Sequence, residues 1–453
     1  MSKFIVADRQ TDYLLPPSVD DWLNQDHLAR FIVEVIDQLD LSKLTREYAG
    51  RGSKAYHPAT LLGILVYGYI TGIFSSRRLE QATYDSIAFR FIAANLHPDH
   101  DSLATFRRRF LDELSDLFLQ VLKMATEMKV LKVGNISLDG SKFEANASRH
   151  SALSHGHIEK LEVQLKAEVQ ELLALAEQAD QADIPTGVSL PEELKRREDR
   201  LTAMAAAKAK LVARAEERYQ REKAEYDEKM ARRAAKEEAT GKKPGGKPPK
   251  APEPGPRDRD QINLTDEESR IMPVAGGGFE QAYNAQAAAD AATMLIVATG
   301  VTQAPNDKEQ VEPMLATLKA QAEVLGAVEC LIADSGGYCS EKNIKACEAA
   351  GIEPLIAVGR DEHHPDWRER HSEPAPLPDN ATPVQAMSHR LKTKDGRARY
   401  ALRKQTIEPV FGIIKSVMGF RRFSLRGLKK VTGEWTLVCL AWNLKRLAVL
   451  RPQ

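Results

Sequence analysis

Three carboxylates stand out as the residues able to do chemistry. Glu408 is the one acid in the stretch RYALRKQTIEPVFGIIKSVMGFRRFSLRG, where Arg399, Arg403, Lys404, Lys415, Arg421, Arg422 and Arg426 surround it. A lone carboxylate in so positive a setting stays ionised, and it suits a bound cation whose other contacts are anionic, as phosphates are. Asp139 and Asp334 each end a short apolar run of strand type. An Asp at the carboxyl end of a strand projects from the open end of a sheet, where α/β folds place ligands. Two such Asp and a helix-borne Glu are what a two-metal phosphoryl-transfer site needs. Mg²⁺ prefers carboxylate oxygens, keeps some waters and takes phosphate oxygens as its remaining ligands. The basic residues near Glu408 would then hold DNA against the site.

Positioning these groups takes several elements. Residues 1–130 are expected to form a helical domain that binds DNA, with helices over DHLARFIVEVIDQLDLSKL, HPATLLGILVYGYITGIF and SSRRLEQATYDSIAFRFIAANL. The second is apolar nearly all round and belongs at the centre, with Pro58 in its first turn. A further helix after PDHD, capped by Asp101 or Ser102, carries Arg107, Arg108 and Arg109, which face either phosphates or the nearby Asp112 and Glu113. From 131 an α/β core begins with a strand, VGNISLD, ending on Asp139. Charged helical stripes over 155–240, broken around Pro185 and Gly187, predict an antiparallel coiled-coil insertion. Residues 241–260, rich in Pro, Gly and Lys, predict a disordered linker. Strands follow at FEQAYNAQAAAD, TMLIVATGVTQ, VECLIADSG and IEPLIAVG, with a helix capped by Ser340. An apolar helix, EWTLVCLAWNLKRLAVL, closes the chain with Trp435 and Trp442 packed on the core.

The totals agree with a nucleic-acid partner only when read locally. Net charge over 453 residues is zero, yet from Ser388 to Gln453 16 Lys/Arg face three Asp/Glu. Four cysteines without CxxC spacing predict no disulfide framework. No signal-peptide pattern and no adequate membrane span are found, so the expected location is cytoplasmic, nucleoid-associated and away from membranes. His363, His364 and His371 lack the partners of a zinc site.

The motif set SLDGSKFEANAS, YNAQAAAD, IADSGGYCSEKN and Tyr400-Arg403-Glu408-Lys415, in that order, resembles bacterial insertion-sequence transposases of the DDE type. The N-terminal helices resemble the helical domain preceding that core. The resemblance implies an α/β, RNase H-like mixed-sheet catalytic core with an all-α N-terminal domain. It also implies nicking and strand transfer at element ends, with Asp139, Asp334 and Glu408 as catalytic residues holding two Mg²⁺, for which Mn²⁺ can substitute. Its DNA partners would be terminal inverted repeats and target DNA, bound by a homodimer or higher synaptic complex. Tyr400, Arg403 or Lys404, Lys415, Arg421, Arg422 and Arg426 would contact DNA. In this sequence four residues separate Arg403 from Glu408, where the family usually has three. On a regular helix Lys404 would share the face of Glu408 and Arg403 would point away. Pro409 predicts a helix start or kink, with Glu408 in its first turn. Two other readings are a DNA-binding scaffold with an inactive core and a metal-dependent nuclease that does not transpose.

Overall fold

The computed structural model describes residues 18–48, 55–177, 189–241, 245–274, 276–334, 337–359, 372–378 and 380–451. The predicted turn at Pro185 and Gly187, and His363, His364 and His371, lie outside them. The chain divides into one unit of residues 1–145 and 282–453 and a second of residues 146–281.

The first unit is built on a mixed sheet. Its site-bearing strands are β1 (Asn135–Glu144), β2 (Phe279–Asp290), β3 (Ile296–Thr302), β4 (Cys330–Ala333) and β5 (Glu353–Ile356), in the order β3-β2-β1-β4-β5. β1, β2 and β3 are antiparallel, whereas β4 and β5 run parallel to β1. Central β4, CLIA, is apolar throughout because both of its faces are covered. The strand predicted to end on Asp139 in fact runs on to Glu144. β2 pairs with it from Ile136 to Glu144, while β4 pairs only from Asn135 to Leu138. Asp139 therefore lies where one neighbour stops and the other continues, a place that local hydrophobicity does not mark.

The N-terminal helices do not stand apart from this core. Pro58–Thr71, with Pro58 in its first turn, buries all but three of its residues. Its Tyr69 donates a 2.9 Å hydrogen bond to Glu434 on the terminal helix Leu428–Leu450. The other Glu434 oxygen accepts the backbone N–H groups of Ser424 and Leu425, both at 2.9 Å. Arg107 is buried here too, donating to Tyr69 at 3.2 Å and to the Phe74 carbonyl at 2.9 Å. The three arginines thus meet neither of their expected acidic partners: Arg109 pairs with Glu47 and Arg108 reaches Thr105. Their helix is capped by Asp99, one turn before Ser102, whose N–H it accepts. The terminal helix also seals β3, since buried Asn443 both accepts from and donates to the backbone of Ile296. Trp435 and Trp442 reach backbone carbonyls of Gln286 and Met294. All four cysteines are free. Among the described residues no single helix is long and apolar enough to cross a membrane.

In the second unit, His155–Glu177 and Leu190–Thr240 pair antiparallel, as Glu168–Arg197 and Glu162–Lys208 ion pairs require. Ile158, Leu165, Met204, Ala207 and Leu211 form their shared apolar seam. Beyond Glu222 the longer helix is largely solvated and carries i,i+4 pairs such as Glu228–Arg232. The 245–260 stretch differs from the disordered linker expected. Its end lies along that helix, with Arg218 gripping Asp260 at 2.8 and 2.9 Å and Arg257 gripping Glu222 at 3.0 Å. Opposite charges at these positions decide the path, which the Pro-rich composition alone does not reveal.

The Glu434 network predicts a concentrated stability cost. Glu434→Ala strands the Tyr69 hydroxyl, two backbone donors and the Arg107 charge, and should lower unfolding free energy by about 3–5 kcal/mol. Tyr69→Phe should cost about 1 kcal/mol. Urea denaturation of both variants measures this, and equal small losses would contradict the network's role.

Candidate active site

The parallel register sets two of the carboxylates side by side. Leu138 pairs with Ala333, so the next residues out, Asp139 within β1 and Asp334 just past β4, lie at the same level. The third arrives on the helix Ile407–Ser416, whose first turn contains Glu408, as Pro409 predicted. That helix is held by its apolar face: Ile407, Val410, Phe411 and Ile414 are buried. Phe411 stacks on Trp435 with centroids 5.9 Å apart and planes at 7°, and Phe143 of β1 packs on the same indole at 5.0 Å. Glu408, one turn before Phe411, is thereby directed over β1.

All three acids meet a single guanidinium. Arg403 Nη2 is 2.6 Å from Glu408 and 3.4 Å from Asp334, and its Nη1 is 3.6 Å from Asp139. Arg403 is only 8% exposed, while the side chains of Asp334 and Glu408 are 40% and 44% exposed. Against helical reckoning, it is Arg403 and not Lys404 that meets the acids. Leu402–Gln405 is a 3-10 turn, and Thr406 at φ −119°, ψ −86° breaks the backbone before the Glu408 helix starts. A 3.6-residue period does not carry across such a break, so the extra residue in the spacing is absorbed there. Arg403 turns in, while Lys404 is exposed and makes no ion pair with the three acids.

The other predicted residues sort by distance from this cluster. Tyr400 packs against Cys330, Ile332 and Leu355, and burial, with Asp334 close by, raises its phenol pKa despite the opposing Arg403 charge. Lys415 donates to Ser141 Oγ at 2.6 Å and to the Lys142 carbonyl at 2.9 Å, with its ammonium over the Phe143 ring. Burial, then the Lys142 and Arg421 charges, lower its pKa. Arg421 bonds the Lys415 carbonyl, Arg422 is engaged by Glu144 at 2.8 Å, and Arg426 is exposed.

Sequence reading missed a fourth acid. Buried Asp307 accepts from Asn284 at 2.7 Å and from Gln286 at 2.6 Å, and Lys142 stands 3.8 Å away. Tyr338, four residues after Asp334, donates to Gln286 at 2.6 Å. Gly140 makes this approach feasible: a Cβ there would fall 2.1 Å from Gln286 Nε2 and 2.6 Å from Asp307 Oδ1. The Asp-Gly pair was the available signal. Burial raises the Asp139 pKa to about 6, with Asp307 and Asp334 adding repulsion; the Gly140 N–H and Arg403 act the other way.

A hard, all-oxygen donor set fits a magnesium-type ion in chemistry. Among the described residues no three acidic, His or Cys groups stand close enough to hold one as placed. The carboxylates are spaced around a guanidinium, a larger cation, which accounts for the difference.

Comparison with known families bears on both ends of the chain. Residues 17–109 match a transposase domain (DUF772) and residues 375–448 match a transposase DDE domain. Together these matches support an insertion-sequence DDE transposase, and the mixed sheet is consistent with its RNase H-like core. No curated protein and no solved structure matches. The second match contains Tyr400, Arg403, Glu408 and Lys415, whereas Asp139 and Asp334 lie outside both matches and are linked to it by their contacts with Arg403.

A raised carboxylate pKa means that the folded chain binds the proton more tightly than the unfolded chain. The Asp139 contribution is therefore most favourable below about pH 4 and declines as pH rises to about 6. In metal-free buffer, Asp139→Asn should match wild type near pH 4 and exceed it at pH 7 by on the order of 1–3 kcal/mol. Denaturant midpoints at the two pH values test this; a difference independent of pH would refute it.

Proposed function

We propose that this transposase cleaves DNA at the ends of an insertion element and joins those ends to target DNA, with Asp139, Asp334 and Glu408 as its metal-holding acids. The observation that carries the reading is the convergence of these three carboxylates, from two adjacent strands and a packed helix, on one cationic position. Ordinary surface acids do not crowd together in this way, because mutual repulsion must be repaid by a cation.

Bound Mg²⁺, two ions by the family resemblance, would polarise the phosphoryl group and lower the pKa of the attacking hydroxyl. The chain's own residues supply the remaining tasks. Asp139 and Asp334, rooted in hydrogen-bonded strands, resist displacement as charge develops during in-line attack. Glu408, on a helix locked by Phe411 and Trp435, closes the third side. In the first step water attacks phosphorus and the bond to the 3′ oxygen breaks, leaving a 3′-hydroxyl and a 5′-phosphate. In the second, that 3′-hydroxyl attacks a target phosphodiester, joining the element's 3′ end to the target's 5′-phosphate as the bond to the target's 3′ oxygen breaks; the attacking hydroxyl loses its proton and the leaving 3′ oxygen takes one up from solvent. Tyr400 and Lys415 border the cluster and would place the strand near the cut. Lys404, Arg421, Arg422 and Arg426 would extend the track through phosphate contacts that carry no sequence information. Pairing two DNA ends calls for at least two copies of the chain, and the antiparallel helices of the second unit are the natural candidate for contacts between copies or with flanking DNA.

Asp139→Asn, Asp334→Asn and Glu408→Gln should each reduce Mg²⁺-dependent cleavage by at least about 10³-fold while binding to element ends persists. Full cleavage in any one variant would remove that residue from the site. A plasmid bearing the element ends should yield sequenced end-to-target junctions; cuts without joined products would point to a nuclease instead.

A further inference from the structure

The most unusual feature of the molecule is the position of Arg403. One buried guanidinium serves as the common partner of all three acids. We propose that Arg403 is a built-in counter-ion that exchanges with divalent metal, so that metal loading releases its guanidinium to a DNA phosphate and the two binding events reinforce each other. This rests on the reading of Asp139, Asp334 and Glu408 as metal ligands.

Mutual exclusion follows from size. A magnesium ion draws carboxylate oxygens to about 2.0–2.1 Å. The same oxygens now stand 2.6–3.6 Å from guanidinium nitrogens. The fork lies in the space between the acids, so they cannot close on an ion until it leaves. Its seat is also imperfect: Arg403 Nε is buried without a hydrogen-bond partner among the described residues. An unsatisfied buried donor favours departure once another cation can neutralise the acids.

The backbone is suited to such a move. Arg403 sits on the short 3-10 turn Leu402–Gln405, between the helix Lys394–Ala401 and the break at Thr406. Tyr400 on one side is packed against the sheet, and Ile407 on the other is buried. The turn can therefore reorient while both flanks stay in place. Charge supplies the direction. With Arg403 seated, the trio remains net negative and repels phosphate; with two divalent ions it becomes net positive and attracts it. Exposed Lys404 and Arg421 already favour an incoming backbone, and a released guanidinium adds a fork that matches phosphate oxygens. Linkage then requires that DNA strengthen metal binding by the factor by which metal strengthens DNA binding.

The test uses the full chain and Mn²⁺ as a paramagnetic probe, with free Mn²⁺ followed by electron paramagnetic resonance at fixed ionic strength. Titrations run with and without a short DNA duplex, and duplex affinity is measured by fluorescence anisotropy with and without Mn²⁺. Wild type should bind Mn²⁺ about tenfold more tightly with duplex present, and duplex should gain by the same factor. Arg403→Gln and Arg403→Lys should each bind Mn²⁺ about tenfold more tightly than wild type without DNA, and the duplex should add little further. Lysine keeps the charge but loses the fork, so its gain separates occupancy from simple electrostatics. It also decides the matter if Arg403→Gln fails to fold. Asp139→Asn should weaken Mn²⁺ binding in every background. If it does not, the metal-ligand reading itself fails. If it does, and both Arg403 variants retain wild-type Mn²⁺ affinity and coupling, the metal site stands and the exchange is overturned.

Discussion

Three carboxylates cannot occupy one small space without a cation among them, and much of the first unit is arranged around that constraint. In this structure the cation is Arg403, buried between groups that belong to β1, the end of β4 and a C-terminal helix. Burial is the main reason that the Asp139 pKa is raised, and repulsion from Asp307 and Asp334 adds to it. The site is poised between the cation it holds and one it could hold, and its acids are kept close by covalent and packing forces rather than by mutual preference.

Those forces come from elements far apart in the chain. Parallel pairing of β1 with β4 sets Asp139 level with Asp334. An aromatic group drawn from β1, the Glu408 helix and the terminal helix, namely Phe143, Phe411 and Trp435, fixes the third acid. The terminal helix in turn is anchored by buried Glu434 to Tyr69 of the N-terminal helices. Burying a large aromatic contributes a few kcal/mol, so a cluster of this kind can hold charged groups in an arrangement they would not adopt alone. The helices that open the chain thus help to support the site although none of their residues enters it.

Beside the three acids runs a polar network that couples Asp307 through Gln286 to Tyr338. It ties the loop after β3 to β2 and to the segment following Asp334, and it fits only because Gly140 has no side chain. The network adds negative potential at Asp139, which strengthens the demand for a cation there.

Much of this was legible in residue types and short patterns. The apolar run ending in Asp334, the Pro409 helix start and the Ser340 cap are local, since each depends on a few adjacent residues, and the structure has them. Charge clustering in the C-terminal segment was equally plain. What the sequence could not decide were matters of register and partner choice. Helical periodicity favoured Lys404 over Arg403, but the break at Thr406 resets the rotation, and a single backbone torsion pair outside the regular wells leaves no residue pattern to read. The continuation of β1 past Asp139 depends on the length of β2, and the path of residues 245–260 depends on Arg218 and Glu222 in a distant helix. Asp307 was not singled out, because its donors, Asn284 and Gln286, lie about 20 residues earlier on β2. Residue types and short patterns were enough to single out the candidate acids; which cation stands among them is a property of the folded chain, because it depends on distances between segments hundreds of residues apart.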